Sequence, residues 1–185
     1  METLRCLPQE TIREMLLRCC HSEVWIDNVL ENMPNDASEG VARAVLLRAF
    51  RQLEKADWVD AMNAHPPLGD KQALIRYFPG WRWDWEQEEH EAMVGASKAV
   101  LEELTEMNKH YRERFGYNFV VWAPTSSAED ILAMLRDRLP NNRMLEMGKA
   151  NAELLKILCY RFDRLMDEMA EIADATSYAA SGGHG

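Results

Sequence analysis

Apolar residues recur along most of the chain at steps of three and four, the period of a helical face, and glycine is scarce between them. The spacing predicts a first helix over Glu10 to Cys20, opened by Pro8, a residue suited to a helix start. Ser22 is placed to cap a second helix carrying Trp25, Val29 and Leu30 and ending near Met33-Pro34. From Ser38 onward, Val41, Ala42, Val45, Leu46, Ala49, Phe50 and Leu53 cover most of a helix's circumference, which predicts a helix in the middle of a bundle. Charge returns at Lys55 and Asp57. The pattern closes at Asn63-Ala64-His65-Pro66-Pro67, where the prolines push the residue before each of them out of the helical region.

The next pattern runs from about Asp84 to Arg114, with Met93, Ala96, Val100, Leu104, Met107 and Tyr111 on one face, and Gly116 is suited to stop it. Phe119-Val120-Val121-Trp122 is a short run of β character, ended by Pro124. Ser126 or Ser127 then caps a helix holding Ile131, Leu132, Leu135 and Leu139. A last helix spans roughly Asn142 to Ile172, with Leu155, Leu158, Phe162, Leu165, Met169 and Ile172 in step, and the residues beyond it read as disordered. The expected fold is all-α: a single-domain helical bundle of about seven to nine helices over residues 1–175, with one short extended segment near 119–123 and a flexible tail over 176–185.

Composition adds limits to this picture. The 185 residues are 47% hydrophobic and 28% charged, enough apolar material for a sizeable core. Lys and Arg number 21 against 31 Asp and Glu, a formal charge of −10, which argues against a nucleic-acid partner. No run approaches the ~20 apolar residues of a membrane helix. Met1-Glu2-Thr3-Leu4-Arg5 has neither a secretory nor a basic amphipathic character, so the expected setting is the cytosol. Cys6, Cys19, Cys20 and Cys159 form no C-x-x-C and read as small core or half-buried residues.

Several catalytic templates are missing. The chain has no G-x-G-x-x-G, no Walker loop and no G-x-S-x-G elbow. Glu86/His90 and Glu106/His110 stand four apart rather than three and read as solvated contacts, so no metal is expected. Three features stand out. His65 is held on stiff proline-bounded backbone, and an imidazole titrates near neutrality, although a turn or packing role would equally place it there. Glu86-Gln87 lies at a predicted helix start, where a carboxylate is favoured by the helix dipole whether or not it does chemistry. Arg161 falls on the apolar stripe of Leu154, Leu158 and Leu165; it either reaches out at the stripe's edge or, if buried, needs a partner.

These residues coincide with a longer pattern. Ala64-His65-Pro66 with Leu68-Gly69 is followed by Glu86-Gln87, then by Asn108-x-x-Tyr111-x-x-Arg114-Phe115-Gly116-x-x-Phe119-Val120. Arg138-Leu139-x-Asn141 comes next, and after it Glu146, Ala150, Glu153, Lys156-Ile157 and Arg161. In this order and spacing the chain resembles, over about residues 10 to 166, the 2-oxo-4-hydroxy-4-carboxy-5-ureidoimidazoline (OHCU) decarboxylases of urate breakdown. The resemblance implies an all-helical homodimer that uses no cofactor and converts OHCU to (S)-allantoin and carbon dioxide. It implies His65 and Glu86 as catalytic residues. Pro66, Gln87, Arg161 and the backbone of Phe119, Val120, Val121, Trp122 and Ala123 match ligand-contacting positions.

Trp83 departs from the family, which usually has a small hydroxyl residue three before the glutamate; an indole only donates a hydrogen bond. It lies in Gly80-Trp81-Arg82-Trp83-Asp84-Trp85, a stretch that also suits a lid or dimer contact. Nor does a basic residue stand near Ala123-Pro124, where members often carry one. The alternatives are a decarboxylase of the same scaffold acting on another small ureido or carboxylate substrate, and a non-catalytic helical binding protein.

Overall fold

The computed structural model describes residues 8–34, 36–65 and 96–181, with side chains as far as residue 171. Among these residues the chain forms seven α-helices and no strand: α1 Gln9–Cys19, α2 Glu23–Asn32, α3 Glu39–Arg51, α4 Lys55–Ala64, α5 Lys98–Phe115, α6 Ala128–Arg138 and α7 Arg143–Ser181. Their starts follow local chemistry. Ser22, Ser38, Ser97 and Ser127 each turn a hydroxyl onto a backbone N–H of the first turn, and Asp130 answers Ser127 to complete a capping box. α5 ends at Gly116, whose φ of 90° is the left-handed geometry that glycine adopts without strain, and whose N–H donates to the Arg112 carbonyl at 2.8 Å.

Three expectations change. Ser97 caps a helix that begins at Lys98 and leaves Ala96 outside it, while residues 84–95 of the expected pattern lie outside the described residues. α3 does not lie wholly inside a bundle, because Val41 is 43% exposed while Ala42, Leu46, Ala49 and Phe50 face the core. The last helix continues beyond Ile172 to Ser181, through a stretch with four alanines and no glycine or proline before Gly182. The segment 119–123 is non-helical, as expected, and pairs with no strand among the described residues.

Contacts group the chain into two compact units, Met1–Glu54 with Ile157–Gly185, and Lys55–Lys156. In the first, α2 packs on α3, and buried Trp25 donates its indole N–H to the Leu46 carbonyl at 3.1 Å, satisfying the polar handle of an otherwise apolar group. Arg18 holds Glu168 through two bonds of 3.1 Å, and Arg43 pairs with Asp163 while lying over the Phe162 ring. In the second, α5 packs on α6, and Leu104, Tyr111, Ile131 and Leu135 of these helices are buried. Cys19 and Cys20 are buried and Cys159 is half-buried, as their small-residue reading expects; Cys6 lies outside the described residues.

Candidate active site

α4 presents His65 at its end. The His65 N–H turns back to the Met62 carbonyl at 3.2 Å. An α-helix leaves its last carbonyls unpartnered, and they are commonly met by the N–H groups of the next residues. Here those residues are Pro66 and Pro67, which have no N–H to give. The donor comes from far along the chain instead: the Asn118 side-chain amide donates to the His65 carbonyl at 2.8 Å and to the Asn63 carbonyl at 3.3 Å. The Asn63 side chain reciprocates by accepting the Asn118 backbone N–H at 3.1 Å. His65 is 9% exposed and Asn118 is 3% exposed, so the clamp is inside the protein.

Phe119 to Ala123 follows directly from that clamp. An irregular segment has no ladder to fix it, so its position depends on what holds its polar groups. Arg138, at the end of α6, donates to the Val120 carbonyl at 2.8 Å and lays its guanidinium over the Phe119 ring, 4.5 Å from the centroid. Glu153 of α7 accepts the Trp122 N–H at 2.9 Å and is itself held by Lys156 at 2.6 Å. These two backbone groups are therefore already committed to protein partners.

Beneath the segment lies a buried polar cluster. Glu146, in the first turn of α7, has no exposed surface. Its carboxylate accepts from Arg138 Nε at 2.8 Å, pairs with Arg138 Nη2 at 2.6 Å, accepts from Asn141 at 2.7 Å and takes the Tyr111 hydroxyl. Burial first, and donation to Glu146 second, push the Tyr111 phenol upward, so it stays a donor. Arg114 adds a bond to the Asn141 carbonyl at 3.1 Å. Residues in this cluster belong to the long spaced pattern of the sequence, and their common work is to hold the 119–123 backbone.

Arg161 belongs to the first unit and is 1% exposed, so it does not reach out at the edge of its stripe. Its guanidinium donates to the Arg18 carbonyl at 3.4 Å, where a cation suits the negative end of α1. Burial, and next the Arg161 charge, depress the His21 imidazole to about 4. The same unit has a cavity of about 430 Å³ lined mostly by apolar side chains, among them Ile12, Met15, Leu16, Leu46 and Phe162, with Gln9 also in its lining. Pro66, Trp83, Glu86 and Gln87 lie outside the described residues. The structure thus joins His65 to Phe119, Val120, Val121, Trp122 and Ala123 in one unit, and shows Arg161 within the other. Glu106 and His110 form an exposed contact at 3.3 Å. Among the described residues no group of three His, Cys, Asp or Glu could hold a metal, and no helix is long and apolar enough to cross a membrane.

Asn63 and Asn118 were not singled out by residue pattern, because their partners are main-chain groups. The signal available was indirect: two prolines after a helix end call for a distant donor.

A helical fold in which a buried histidine is tied to an irregular, polar-anchored segment sets the class of protein. A family model described as OHCU decarboxylase matches residues 5–163, and the chain belongs to that family. It is 26% identical over 167 residues to a uric acid degradation bifunctional protein of Arabidopsis thaliana, covering 88% of this chain and 50% of the relative. It is 23% identical to a uric acid degradation bifunctional protein of Bacillus subtilis, covering 92% of this chain and 33% of the relative. The chain thus spans half and a third of these two proteins. A 2-oxo-4-hydroxy-4-carboxy-5-ureidoimidazoline decarboxylase of Halalkalicoccus jeotgali is 23% identical, with 71% of each chain covered. Among solved structures, an OHCU decarboxylase in the presence of (S)-allantoin superposes with a TM-score of 0.68 at 25% identity, covering 82% of this chain and 96% of that one. An (S)-allantoin synthase superposes with a TM-score of 0.65 at 17% identity, covering 89% and 53%, and shares the fold.

Proposed function

We propose that this chain decarboxylates OHCU to (S)-allantoin and carbon dioxide in urate breakdown, without a cofactor. Family membership supports the substrate class. The observation that carries the reading is the Asn118 amide on the His65 carbonyl, since it makes the histidine and the backbone of 119–123 one preorganised body.

The chemistry needs little more than such a body. Carbon 4 of the substrate bears a hydroxyl and a carboxylate, and carbon 5 is doubly bonded to nitrogen. When the bond to the carboxylate breaks, its electron pair forms C4=C5, the C5=N pair moves to nitrogen, and nitrogen takes a proton. The enol then collapses: the C4 hydroxyl gives up its proton as C4=O forms, and C5 takes a proton on one face. The ring is its own electron sink. His65 is assigned to proton transfer, for which an imidazole is suited near neutral pH. Glu86 orients His65 or the substrate. Gln87, Pro66, Trp83 and the backbone groups of 119–123 not already taken by Arg138 and Glu153 contact the ring and ureido arm, with donors aimed at the charge that develops there. Sequence resemblance is what assigns these contacts. The same reading makes the protein a cytosolic homodimer, which sedimentation velocity tests.

The functional test is stereochemical, because OHCU also decays without enzyme to a racemate. OHCU generated in place by urate oxidase and hydroxyisourate hydrolase, followed by circular dichroism, is expected to give rapid growth of the (S)-allantoin signal on adding this protein. Slow racemic product from folded protein overturns the reading and favours another small ureido or carboxylate substrate, for which Trp83 is the pointer in the sequence.

A further inference from the structure

We propose that Asn118 is a positioning residue for the reaction, fixing the His65 imidazole by removing the last freedom of the backbone that carries it. The inference rests on the assignment of His65 to proton transfer. Three constraints meet at His65. Its N–H is bonded to the Met62 carbonyl at 3.2 Å. The following proline restricts its ψ to the extended range. Its carbonyl is bonded to Asn118 at 2.8 Å, the shortest of the three hydrogen bonds in the clamp.

The residue type matters as much as the place. Two carbonyls must be met from one side chain, so the group has to offer two N–H donors at short reach, which a carboxamide does. Aspartate would set a carboxylate against two carbonyl oxygens. Serine offers one donor and is too short. Leucine offers none. Asn118 also precedes Phe119 immediately, so the group that holds the histidine sets the start of the segment read as contacting substrate. Asn63 has a smaller part: its side chain accepts from the Asn118 backbone and makes no bond to His65 among those of the clamp.

The test uses the full chain carrying Asn118→Ala, with Asn118→Ser read by the same criteria should the alanine variant fail to fold. In the stereochemical assay kcat is expected to fall about ten- to a hundredfold, the scale of a misplaced catalytic group. KM should change little, because binding contacts remain. A folded Asn118 variant with unchanged kcat overturns the proposal, as does a loss that falls on KM alone. The titration of the histidine ring signals by NMR separates this proposal from the functional reading. If the wild type shows no turnover but Asn118→Ala alters the His65 ring titration and leaves that of exposed His110 in place, the functional reading falls and the positioning of His65 stands. An unaltered His65 ring overturns the positioning itself.

Discussion

Replacing Glu146 with leucine tests how the segment beside His65 is held. The native carboxylate has no exposed surface and receives Arg138, Asn141 and Tyr111. Leucine is close in size, so the main loss is electrostatic: the Arg138 guanidinium, itself 7% exposed, is left facing hydrocarbon. Removing one partner of a buried ion pair costs about 3–5 kcal/mol. Stranding the Asn141 and Tyr111 donors, at about 1–3 kcal/mol for each buried group left unmet, pushes the loss to the upper end. At about 2–4 °C per kcal/mol for a chain of this size, Tm should fall by roughly 6–20 °C. Urea unfolding followed by circular dichroism should show the midpoint falling with the slope unchanged. Adding Arg138→Met should recover part of the stability, because the uncompensated charge is then gone. A loss below about 1 kcal/mol, the scale of an exposed pair, would refute the account of this cluster, and so would strict additivity of the two substitutions.

Three further outcomes follow from other parts of the molecule. Burial, and then Arg161, lower His21 from the ordinary 6.5 to about 4, so the unfolded chain takes up a proton first as the pH falls. The stability owed to neutral His21 is present above about pH 6.5 and lost toward pH 4, by roughly 2–3 kcal/mol; urea midpoints across that range should fall less steeply in His21→Gln than in the wild type. Burial pushes the Cys19 and Cys20 thiols up to about 12, so alkylation read by mass spectrometry should spare both in folded protein at pH 8 and label both in urea. At Gly116 an added Cβ would meet no atom within 4 Å, so Gly116→Ala should cost only the left-handed backbone, about 1–2 kcal/mol by thermal unfolding.

Local chemistry made most of the helices legible. Pro8, Ser22 and Ser127 announce starts that depend on one residue and its nearest N–H groups, and Gly116 announces a stop. Periodicity alone misled where it stayed in phase across punctuation: Met93, Ala96 and Val100 keep helical spacing through Gly95 and Ser97, yet the helix begins after the serine. It also could not tell which of α3's apolar residues face the core, and Val41 does not. His65 was legible because two prolines mark it, whereas Asn118 acts on main-chain carbonyls, which leave no trace in residue type. The roles of Arg138 and Glu146 were hidden for a related reason. They meet across the turn between α6 and α7, eight residues apart, and only the fold brings Val120 and Tyr111 to the same place.

The proposed role of His65 is to drive a stereospecific decarboxylation. Its most direct test compares wild-type protein with His65→Asn in the enzymatic generation of OHCU, at matched fold by far-ultraviolet circular dichroism. Rapid, optically active (S)-allantoin is expected from the wild type, and only the slow racemic product from the variant. Equal rates of (S)-allantoin formation from both proteins would contradict it.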